Sequence, residues 1–543
     1  GINKVLKKIN QPFYSTNFTF YIIFCVSIIS IIPLFTIIIN SSIIDFDFTL
    51  LKNSQFLEYT KNSLIILFFV LFLTFIFGVI PAYLVTFYNF VGVKFFQYSL
   101  ILSFAIPPYI FGYSFSAFFE NFGSGYTLIN LIWDTNNANS YLPNFSPIVN
   151  SVLSLSFTLY GYVYLLSRTS FVGQSVNLLD LGKSLGFSSY QRFFKIILPC
   201  ARPGIFIGLS LVAMETLSDF GTVSYFGVST FTTEIYNSWF IFDDLNTSNF
   251  LSLLLLIFVL FFFIVESYLR KDSRFHSLKN EGKRKKQALK GTKNFLATAF
   301  CLCLFFFSFV FPFSQMLYWS IKFPEYLANF EILKLNLNTF LLIFFTSFFL
   351  ISVAIFTNFG NRVLKNRFLS FFSSLSISGY AIPGIIISVS IISFFSLISS
   401  FLNFDLKTIF IGSFYGLILG YFFRFYSIAY NGIKSNVLKI NYSLDESSYL
   451  MGFDKFKTFS KVHWPILNKN IFFIFILIAI EIIKELPITL ILRPFNFETF
   501  STRAYNFATQ DLIEATAIPS MFLIIWASIF ILISFKYFFQ DNK

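Results

Sequence analysis

The sequence has few charged residues, few cysteines and almost no histidine. Of its 543 residues, 12% are charged, four are cysteine and two are histidine, whereas 56% are apolar. So few charges cannot cover the surface of a soluble protein of this length. The scattered cysteines give no sign of a disulfide framework or of a thiolate metal site. The composition therefore predicts a chain that lies in lipid.

The groups that an enzyme needs are also missing from the sequence. No phosphate-binding loop of the form GxxxxGK[ST] occurs. His276 lies in a basic stretch and His463 lies in a loop motif, so neither resembles a catalytic base. We predict that the chain is not an enzyme and carries no cofactor of its own. If it works with ATP, another chain must bind the ATP and its Mg²⁺.

Long apolar runs are abundant. Stretches of ~20 residues, which cross a ~30 Å hydrocarbon core as an α-helix, recur along the whole chain. They predict an all-α integral membrane protein with about twelve transmembrane helices. The first run is too long for the apolar part of a signal peptide and lacks a small-residue cleavage site, so we expect it to remain as the first helix.

One polar motif occurs twice among the apolar runs. The first copy, DLGKSLGFSSYQRFFKIILP, covers residues 180–199, and the second, ESSYLMGFDKFKTFSKVHWP, covers residues 446–465. The acid, the glycine and the proline of the first copy all recur 266 positions later: Asp180 and Glu446, Gly186 and Gly452, Pro199 and Pro465. This spacing predicts a tandem duplication. Its halves would be residues 1–269 and 294–543, with six membrane helices each, joined by a basic linker at 270–293.

Each copy of the motif is compatible with two short helices around a glycine. In the first copy, these helices would cover about residues 174–185 and 188–198. Gly186 can supply the left-handed backbone that ends the first helix, and Ser188 can cap the second. Pro199 would then restart the chain toward the membrane. A short amphipathic element outside the bilayer favours docking into a groove of a partner over lying on lipid.

Basic residues are distributed unevenly along the chain. They occur before the first apolar run and in the linker 270–293, whereas the segments 118–147 and 227–249 contain no Lys or Arg. Because cytoplasmic loops carry an excess of Lys and Arg, both termini, the linker and both motif copies are predicted to be cytoplasmic. Topology and anionic lipid headgroups then explain the net charge of +13, without any binding to nucleic acid.

The motif resembles the E-A-A-x3-G-x9-I-x-L-P loop of binding-protein-dependent ABC transporter permeases with the MetI-like fold. That resemblance implies that each loop couples the permease to one of two cytoplasmic ATPase subunits, and that a periplasmic binding protein delivers the substrate. The residues expected to form the coupling loops are Asp180, Gly186, Phe193, Ile196, Leu198 and Pro199 in the first copy, and Glu446, Gly452, Phe456, Val462 and Pro465 in the second. Leu181 and Gly182 replace the small residues of the pattern, and Trp464 replaces its leucine.

The sequence after each loop is similar to that of the fused ferric iron permeases within this family. The two stretches are ETLSDFGTVSYFGVSTFTTEIYNSW, residues 215–239, and KELPITLILRPFNFETFSTRAYNFA, residues 484–508. The resemblance implies import of ferric iron across the inner membrane. Thiamine, polyamine and phosphonate permeases share the architecture, so these substrates stay open. A secondary transporter and a non-transporting scaffold are further alternatives.

Four carboxylates follow the two motifs at equivalent positions. Glu215 and Asp219 are four residues apart and would share one helical face, and Glu481 and Glu485 repeat the pair. Ionisable groups at membrane depth usually face a bundle interior or a watered path. The carboxylates, with the phenol of Tyr225 nearby, are therefore candidates for a cation path. A gating or packing role is the alternative.

Overall fold

The structure is a computed structural model that describes residues 16–43, 54–134, 137–174, 176–272 and 286–538. Within these residues the chain is almost entirely helical. Its strands there are one parallel pair of two residues each, β1 Tyr88–Asn89 and β2 Gln287–Ala288. The predicted all-α fold is confirmed. Of the predicted linker 270–293, residues 273–285 lie outside the described residues.

The first half of the chain contains long helices and short connecting helices. In chain order, the α-helices are α1 Thr16–Ile43, α2 Ser54–Phe87, α3 Val93–Ser99, α4 Pro108–Phe119, α5 Ser124–Trp133, α6 Ala138–Tyr141, α7 Pro147–Val172, α8 Val176–Ser184, α9 Ser189–Arg192, α10 Leu198–Ser218, α11 Gly221–Tyr225, α12 Phe231–Phe240 and α13 Leu245–Asp272. A 3₁₀ segment, Leu100–Ala105, follows α3, and a π-helical turn, Phe193–Ile197, joins α9 to α10.

The second half continues in the same way. Its α-helices are α14 Thr292–Phe305, α15 Phe311–Lys322, α16 Asn329–Leu364, α17 Arg367–Leu375, α18 Gly384–Leu402, α19 Leu406–Phe410, α20 Phe414–Val437, α21 Tyr442–Leu450, α22 Lys455–Thr458, α23 Trp464–Lys484, α24 Pro487–Leu492, α25 Phe500–Thr509 and α26 Ala517–Phe538. Between them lie π-helical turns at Phe306–Val310 and Phe459–His463, and 3₁₀ segments at Pro324–Tyr326, Ser376–Ala381 and Ile513–Thr516.

The chain forms two compact units whose boundaries differ from the halves of the sequence. The larger unit comprises residues 45–332 and 500–528, and the smaller unit comprises residues 1–44, 333–499 and 529–543, as far as these are described. The first helix of the chain, α1, therefore belongs with helices of the second half. Likewise, α14 and α15 belong with helices of the first half.

In the larger unit, α2, α7 and α10 pack closely. A Cβ atom added to Gly78 of α2 would lie 2.5 Å from Cβ of Val163 in α7. One added to Gly208 of α10 would lie 3.0 Å from Cα of the same valine. In lipid, helices associate through such van der Waals packing, which small residues at the contact permit. These glycines therefore set the spacing of the three helices.

In the smaller unit, α1 packs against α17 and α18. The ring of Phe24 in α1 lies 5.5 Å from that of Phe372 and 6.4 Å from that of Phe368, both in α17. Gly360 in α16 leaves room for the side chain of Ile23, which a larger residue would displace. The first helix is thus held by aromatic stacking and by one close approach.

Nine helices of the described residues are long and apolar enough to cross a membrane, and one bent pair would make a tenth. The predicted count of twelve is not confirmed. The helix α1 is 28 residues long and apolar over Phe18–Ile32. The helix Phe414–Val437 is not among the nine, since its tyrosine, glycine, serine and asparagine residues lower its mean hydropathy.

The bent pair consists of Val93–Ala105 and Pro108–Trp133, which meet at 93°. The break falls at Pro107, whose backbone is extended (φ −65°, ψ 152°) and which precedes another proline at the first position of α4. Proline has no N–H and disfavours helical backbone in the residue before it. Two successive prolines therefore end one helix and start the next at a new angle.

Candidate functional site

The two copies of the repeated motif fold alike. The elements α8, α9, the π-helical turn and the start of α10 recur 266 positions later as α21, α22, a second π-helical turn and the start of α23. We call residues 176–199 the first loop segment and residues 442–465 the second loop segment. Equal elements at one constant offset are the structural counterpart of the repeat in the sequence.

Each loop segment turns at its glycine. The backbone angle φ is +77° at Gly186 and +86° at Gly452, in the left-handed region that residues with a Cβ atom rarely adopt. The helix that follows is capped by a side chain in both copies. Ser188 accepts the backbone N–H three residues further on at 3.2 Å, and Asp454 does the same at 2.7 Å. The predicted glycine break and serine cap are confirmed.

The prediction that Pro199 restarts the chain is wrong. Instead, α9 continues through the π-helical turn into α10, so that Ser189–Ser218 is one helix of 30 residues. The N–H of Leu198 bonds to the carbonyl of Phe193, five residues back. Pro199 comes directly after the π-helical turn, whose wider hydrogen-bonding pattern accommodates a proline inside the continuous helix. The loop segment and the membrane helix are thus continuous.

Apolar side chains project from both loop segments. On α8 and α21, which are not candidate membrane spans, they include Leu181 and Leu450, the latter 80% exposed, and Leu185 directly follows α8. These leucines are exposed although neither helix is a candidate span. Of the predicted coupling residues, the exposed ones are Asp180, Gly186, Glu446, Gly452, Phe456 and Pro465, and the half-buried ones are Phe193, Ile196, Leu198, Pro199 and Val462.

Apolar contacts hold the first loop segment in place. The ring of Phe193 lies 4.6 Å from the ring of Tyr83 in α2. A Cβ atom on Gly182 would lie 2.7 Å from Cδ1 of Ile196, so the two helices of the segment approach closely at this glycine. Phe193 and Ile196 thus pack against other residues of the larger unit. The residues next to them form the outer surface of the loop segment.

A buried ionic cluster of Arg362, Asp445 and His463 holds the second loop segment. Oδ2 of Asp445 accepts a hydrogen bond from Nε of Arg362 at 2.9 Å, and Oδ1 lies 2.5 Å from Nε2 of His463. Each of the three residues is less than a tenth exposed. Two donors compensate the carboxylate for its lost hydration. The cluster thereby joins α16, α21 and the π-helical turn before α23.

Arg362 also connects the cluster to the end of α20. Its Nη1 donates to the carbonyl of Val437 and its Nη2 to that of Ile440, both at 3.1 Å. A cation at these carbonyls is favoured by the negative end of the helix dipole. Close by, burial raises the pKa of the Tyr449 hydroxyl, and the charge of Asp445 adds to this effect. Nε, Nη1 and Nη2 therefore each donate a hydrogen bond to the second loop segment or to the residues just before it.

Sequence reasoning did not identify the ionic cluster. Asp445 directly precedes the motif acid Glu446, and the equivalent position of the first copy is Leu179. His463 likewise stands where the first copy has Ile197. This contrast between copies is the signal that could have revealed two of the three members. The third, an arginine 83 positions away, gave no such signal.

The carboxylates of Asp219 and Glu485 accept hydrogen bonds from the short helices that follow them. Asp219 accepts from the N–H of Val223 at 3.2 Å and from the hydroxyl of Thr222 at 3.0 Å. Glu485 accepts from the N–H of Ile488 at 2.7 Å and of Thr489 at 3.0 Å. A negative charge is favourable at a helix N-terminus. Both acids therefore stabilise the first turns of α11 and α24.

The prediction that each carboxylate pair shares one helical face is wrong. The helix that contains Glu215 ends at Ser218, and the one that contains Glu481 ends at Lys484. The second acid of each pair has extended backbone, with ψ of 128° at Asp219 and 134° at Glu485. At Asp219 and Glu485 the helix ends, and their carboxylates accept hydrogen bonds from the otherwise unpaired N–H groups at the start of the next short helix.

Removal of either capping carboxylate is expected to destabilise the protein. Asp219→Ala and Glu485→Ala should each cost roughly 1 kcal/mol of stability, since a helix start loses its acceptor. Asp219→Asn and Glu485→Gln keep an acceptor oxygen and are the matched controls. Thermal unfolding of the purified protein in detergent measures the difference. Alanine variants that have the unfolding midpoint of the wild type but fail to transport would assign these acids to the cation path instead.

The candidate path residues fall into two sets. Those in the larger unit are Glu215, Asp219 and Tyr225, and those in the smaller unit are Glu481 and Glu485. Tyr225 lies at the end of α11, with its ring 4.8 Å from that of Tyr113. Within the described residues, no group of three or more His, Cys, Asp or Glu could hold a metal ion. In that part of the chain, the carboxylates thus do not converge into a single metal site.

Comparison with known proteins places this arrangement among transport proteins. Residues 74–274 match the family of binding-protein-dependent transport system inner membrane components. Over 503 residues the chain is 22% identical to the Fe(3+)-transport system permease protein FbpB 2 of Haemophilus influenzae, which covers 90% of this chain and 92% of that protein.

Shorter matches connect the chain to two probable sulfate transport system permease proteins cysT. The one from Chlorella vulgaris is 28% identical over 148 residues, which is 27% of this chain and 53% of that protein. The one from Prototheca wickerhamii is 26% identical over 148 residues, or 27% of this chain and 55% of that protein. With its multiple apolar helices and its matched segment around the first loop segment, the chain is similar to membrane permeases of binding-protein-dependent transport systems along most of its length.

Proposed function

We propose that this permease carries ferric iron in an ATP-driven importer, taking it from a periplasmic binding protein and passing it across the inner membrane. The observation that carries the proposal is the similarity to the Haemophilus Fe(3+) permease, which extends over 90% of this chain. The similarity to the sulfate permeases extends over 27% of it. A match along nearly the whole length favours a common substrate as well as a common architecture.

Each loop segment would receive one cytoplasmic ATPase subunit, making two in all. The exposed apolar side chains on short helices have the form of an element that docks into a partner groove. ATP and Mg²⁺ would be bound by those subunits, and this chain would need no cofactor. Because α9 continues into α10 and α22 into α23 as single helices, closure of the ATPase would move the membrane helices directly.

The proposed orientation follows from the distribution of charge. Both termini and both loop segments would face the cytoplasm, together with the basic linker. The segments 118–147 and 227–249 have no Lys or Arg and would face the periplasm, where the loaded binding protein docks. Lipid headgroups of the inner membrane would contact the basic helix ends.

Radiolabelled uptake in cells of the source organism tests the proposed function. Deletion of this chain should reduce uptake of labelled ferric citrate to background, and its return on a plasmid should restore uptake, with sulfate uptake unchanged in both strains. Dissipation of the proton gradient at constant ATP should leave iron uptake intact, which separates an ABC importer from a secondary transporter. Loss of sulfate uptake with normal iron uptake would assign the chain to sulfate instead.

A further inference from the structure

A cluster of tyrosines in the larger unit lies beside Asp219; its members are Tyr109, Tyr113, Tyr225 and Tyr505. The ring of Tyr113 in α4 lies 6.0 Å from that of Tyr109 and 4.8 Å from that of Tyr225. The hydroxyl of Tyr505 in α25 lies 3.3 Å from Oγ of Ser224, the residue before Tyr225. The ring of Phe220, the residue after Asp219, lies 6.1 Å from that of Tyr505, so the chain at Asp219 lies beside the tyrosines. Three helices thus bring four phenol groups and a carboxylate together.

The hydroxyl of Tyr113 is buried and has no hydrogen-bond partner among the described residues. Its side chain is 0% exposed. The other tyrosines among the largest fully buried side chains all have partners for their hydroxyls: Tyr160, Tyr164, Tyr421, Tyr426 and Tyr430. A buried hydroxyl without a partner destabilises a fold, and phenylalanine, which this chain uses 85 times against 28 tyrosines, would fill the same volume. Packing therefore does not explain the Tyr113 oxygen.

Acidic residues lie next to the tyrosine cluster. Glu120 follows the last residue of α4, and Glu514 lies in the 3₁₀ segment Ile513–Thr516, which packs against α4 and α25. Asp511 lies between α25 and that segment. In the described part of the chain, no Lys or Arg forms a salt bridge with any of these three acids. Carboxylates without a basic partner favour the approach of a cation. The two helices that carry Tyr113 and Tyr505 therefore also have acids at their ends.

We propose that the four tyrosines and Asp219 line the passage through which the ferric ion moves, with Glu120, Asp511 and Glu514 at its entrance. This inference rests on the proposed function. Fe(III) is a hard cation that prefers oxygen ligands. Each phenol that binds the ion releases its proton to water and regains a proton when the ion moves on. Passage also requires that the ion leave the phenols again.

A Tyr113→Phe variant tests the passage, because the substitution removes one oxygen and nothing else. Labelled ferric uptake should fall by roughly tenfold or more, since the path loses a ligand at a buried point. The thermal unfolding midpoint should stay equal or rise, because the fold loses an unsatisfied hydroxyl. Tyr268→Phe is the matched control: the same substitution at a tyrosine of α13 that is 66% exposed and lies outside the cluster, the loop segments and the segments 118–147 and 227–249 should leave uptake unchanged. Tyr225→Phe should repeat the effect of Tyr113→Phe.

Two outcomes would overturn the passage. One is wild-type ferric uptake by both Tyr113→Phe and Tyr225→Phe. The other is a failure to bind iron. If the protein transports no iron at all, the proposed function fails, and iron binding by the purified protein is then the test of the tyrosine cluster. Purified protein titrated with ferric nitrilotriacetate should then show the visible absorption of an iron–phenolate bond, and Tyr113→Phe should weaken it. Absence of that absorption would reject the tyrosine cluster as an iron ligand.

Discussion

Replacement of both turn glycines by proline, in a Gly186→Pro/Gly452→Pro variant, is expected to abolish iron uptake. The backbone angle φ is +77° and +86° at these positions, whereas proline fixes φ near −65°. Each glycine N–H also donates a hydrogen bond, to the carbonyl of Lys183 at 3.0 Å and of Tyr449 at 2.9 Å, and proline has no N–H to donate. The two short helices of each loop segment would lose their mutual angle. Movement of the ATPase would then no longer reach the membrane helices.

The matched control is Gly186→Asn/Gly452→Asn. Asparagine adopts left-handed backbone more readily than other residues with a side chain. At both glycines, nothing lies within 4 Å of the position of an added Cβ atom, so the side chain has room. This variant should keep most of the uptake. Labelled ferric uptake, divided by the amount of permease in the membrane, measures both variants. Normal transport by the proline variant would show that the loop segments do not couple ATP hydrolysis to transport.

The local features of the loop segments could be predicted from the sequence. The turn at Gly186 and the cap at Ser188 depend on residues a few positions apart, and glycine and serine have specific backbone and hydrogen-bonding roles. The π-helical turns could not be predicted in this way. A π-helical turn forms here because the helix continues past Pro199. A proline at this place in the sequence is compatible both with a new helix that begins there and with a helix that continues through it.

Competing local hydrogen bonds and contacts between distant residues account for most of what the sequence did not reveal. Asp219 and Glu485 fit a helical spacing with the acids before them, but the short helices that follow use their carboxylates as acceptors. The grouping of α1 with the second half depends on packing surfaces, such as that around Gly360, which composition does not show. The apolar content predicted the membrane and the helices, because burial in lipid constrains every residue of a span in the same way.

The largest loss of stability is expected from Arg362→Gln, which breaks the buried ionic cluster. The substitution leaves the carboxylate of Asp445 with His463 alone and removes the donors to the carbonyls of Val437 and Ile440. Removal of one partner from a buried ion pair costs about 3–5 kcal/mol, because the remaining carboxylate is not hydrated and keeps only the histidine as a partner. The thermal unfolding midpoint of the purified protein should therefore fall markedly. Iron uptake should fall with it.

Two further variants test whether the loss of stability comes from the carboxylate of Asp445 that Arg362→Gln leaves without its arginine. Arg503→Gln is the matched control, because Arg503 and Glu331 lie 3.9 Å apart with side chains 32% and 50% exposed, and such pairs contribute only about 0–1 kcal/mol. Asp445→Asn, added to Arg362→Gln, removes the stranded charge and should recover part of the stability. An Arg362→Gln protein that melts like the wild type would contradict a stabilising role of the cluster. Recovery of stability in the double variant without recovery of uptake would show that the arginine also orients α21 for the ATPase.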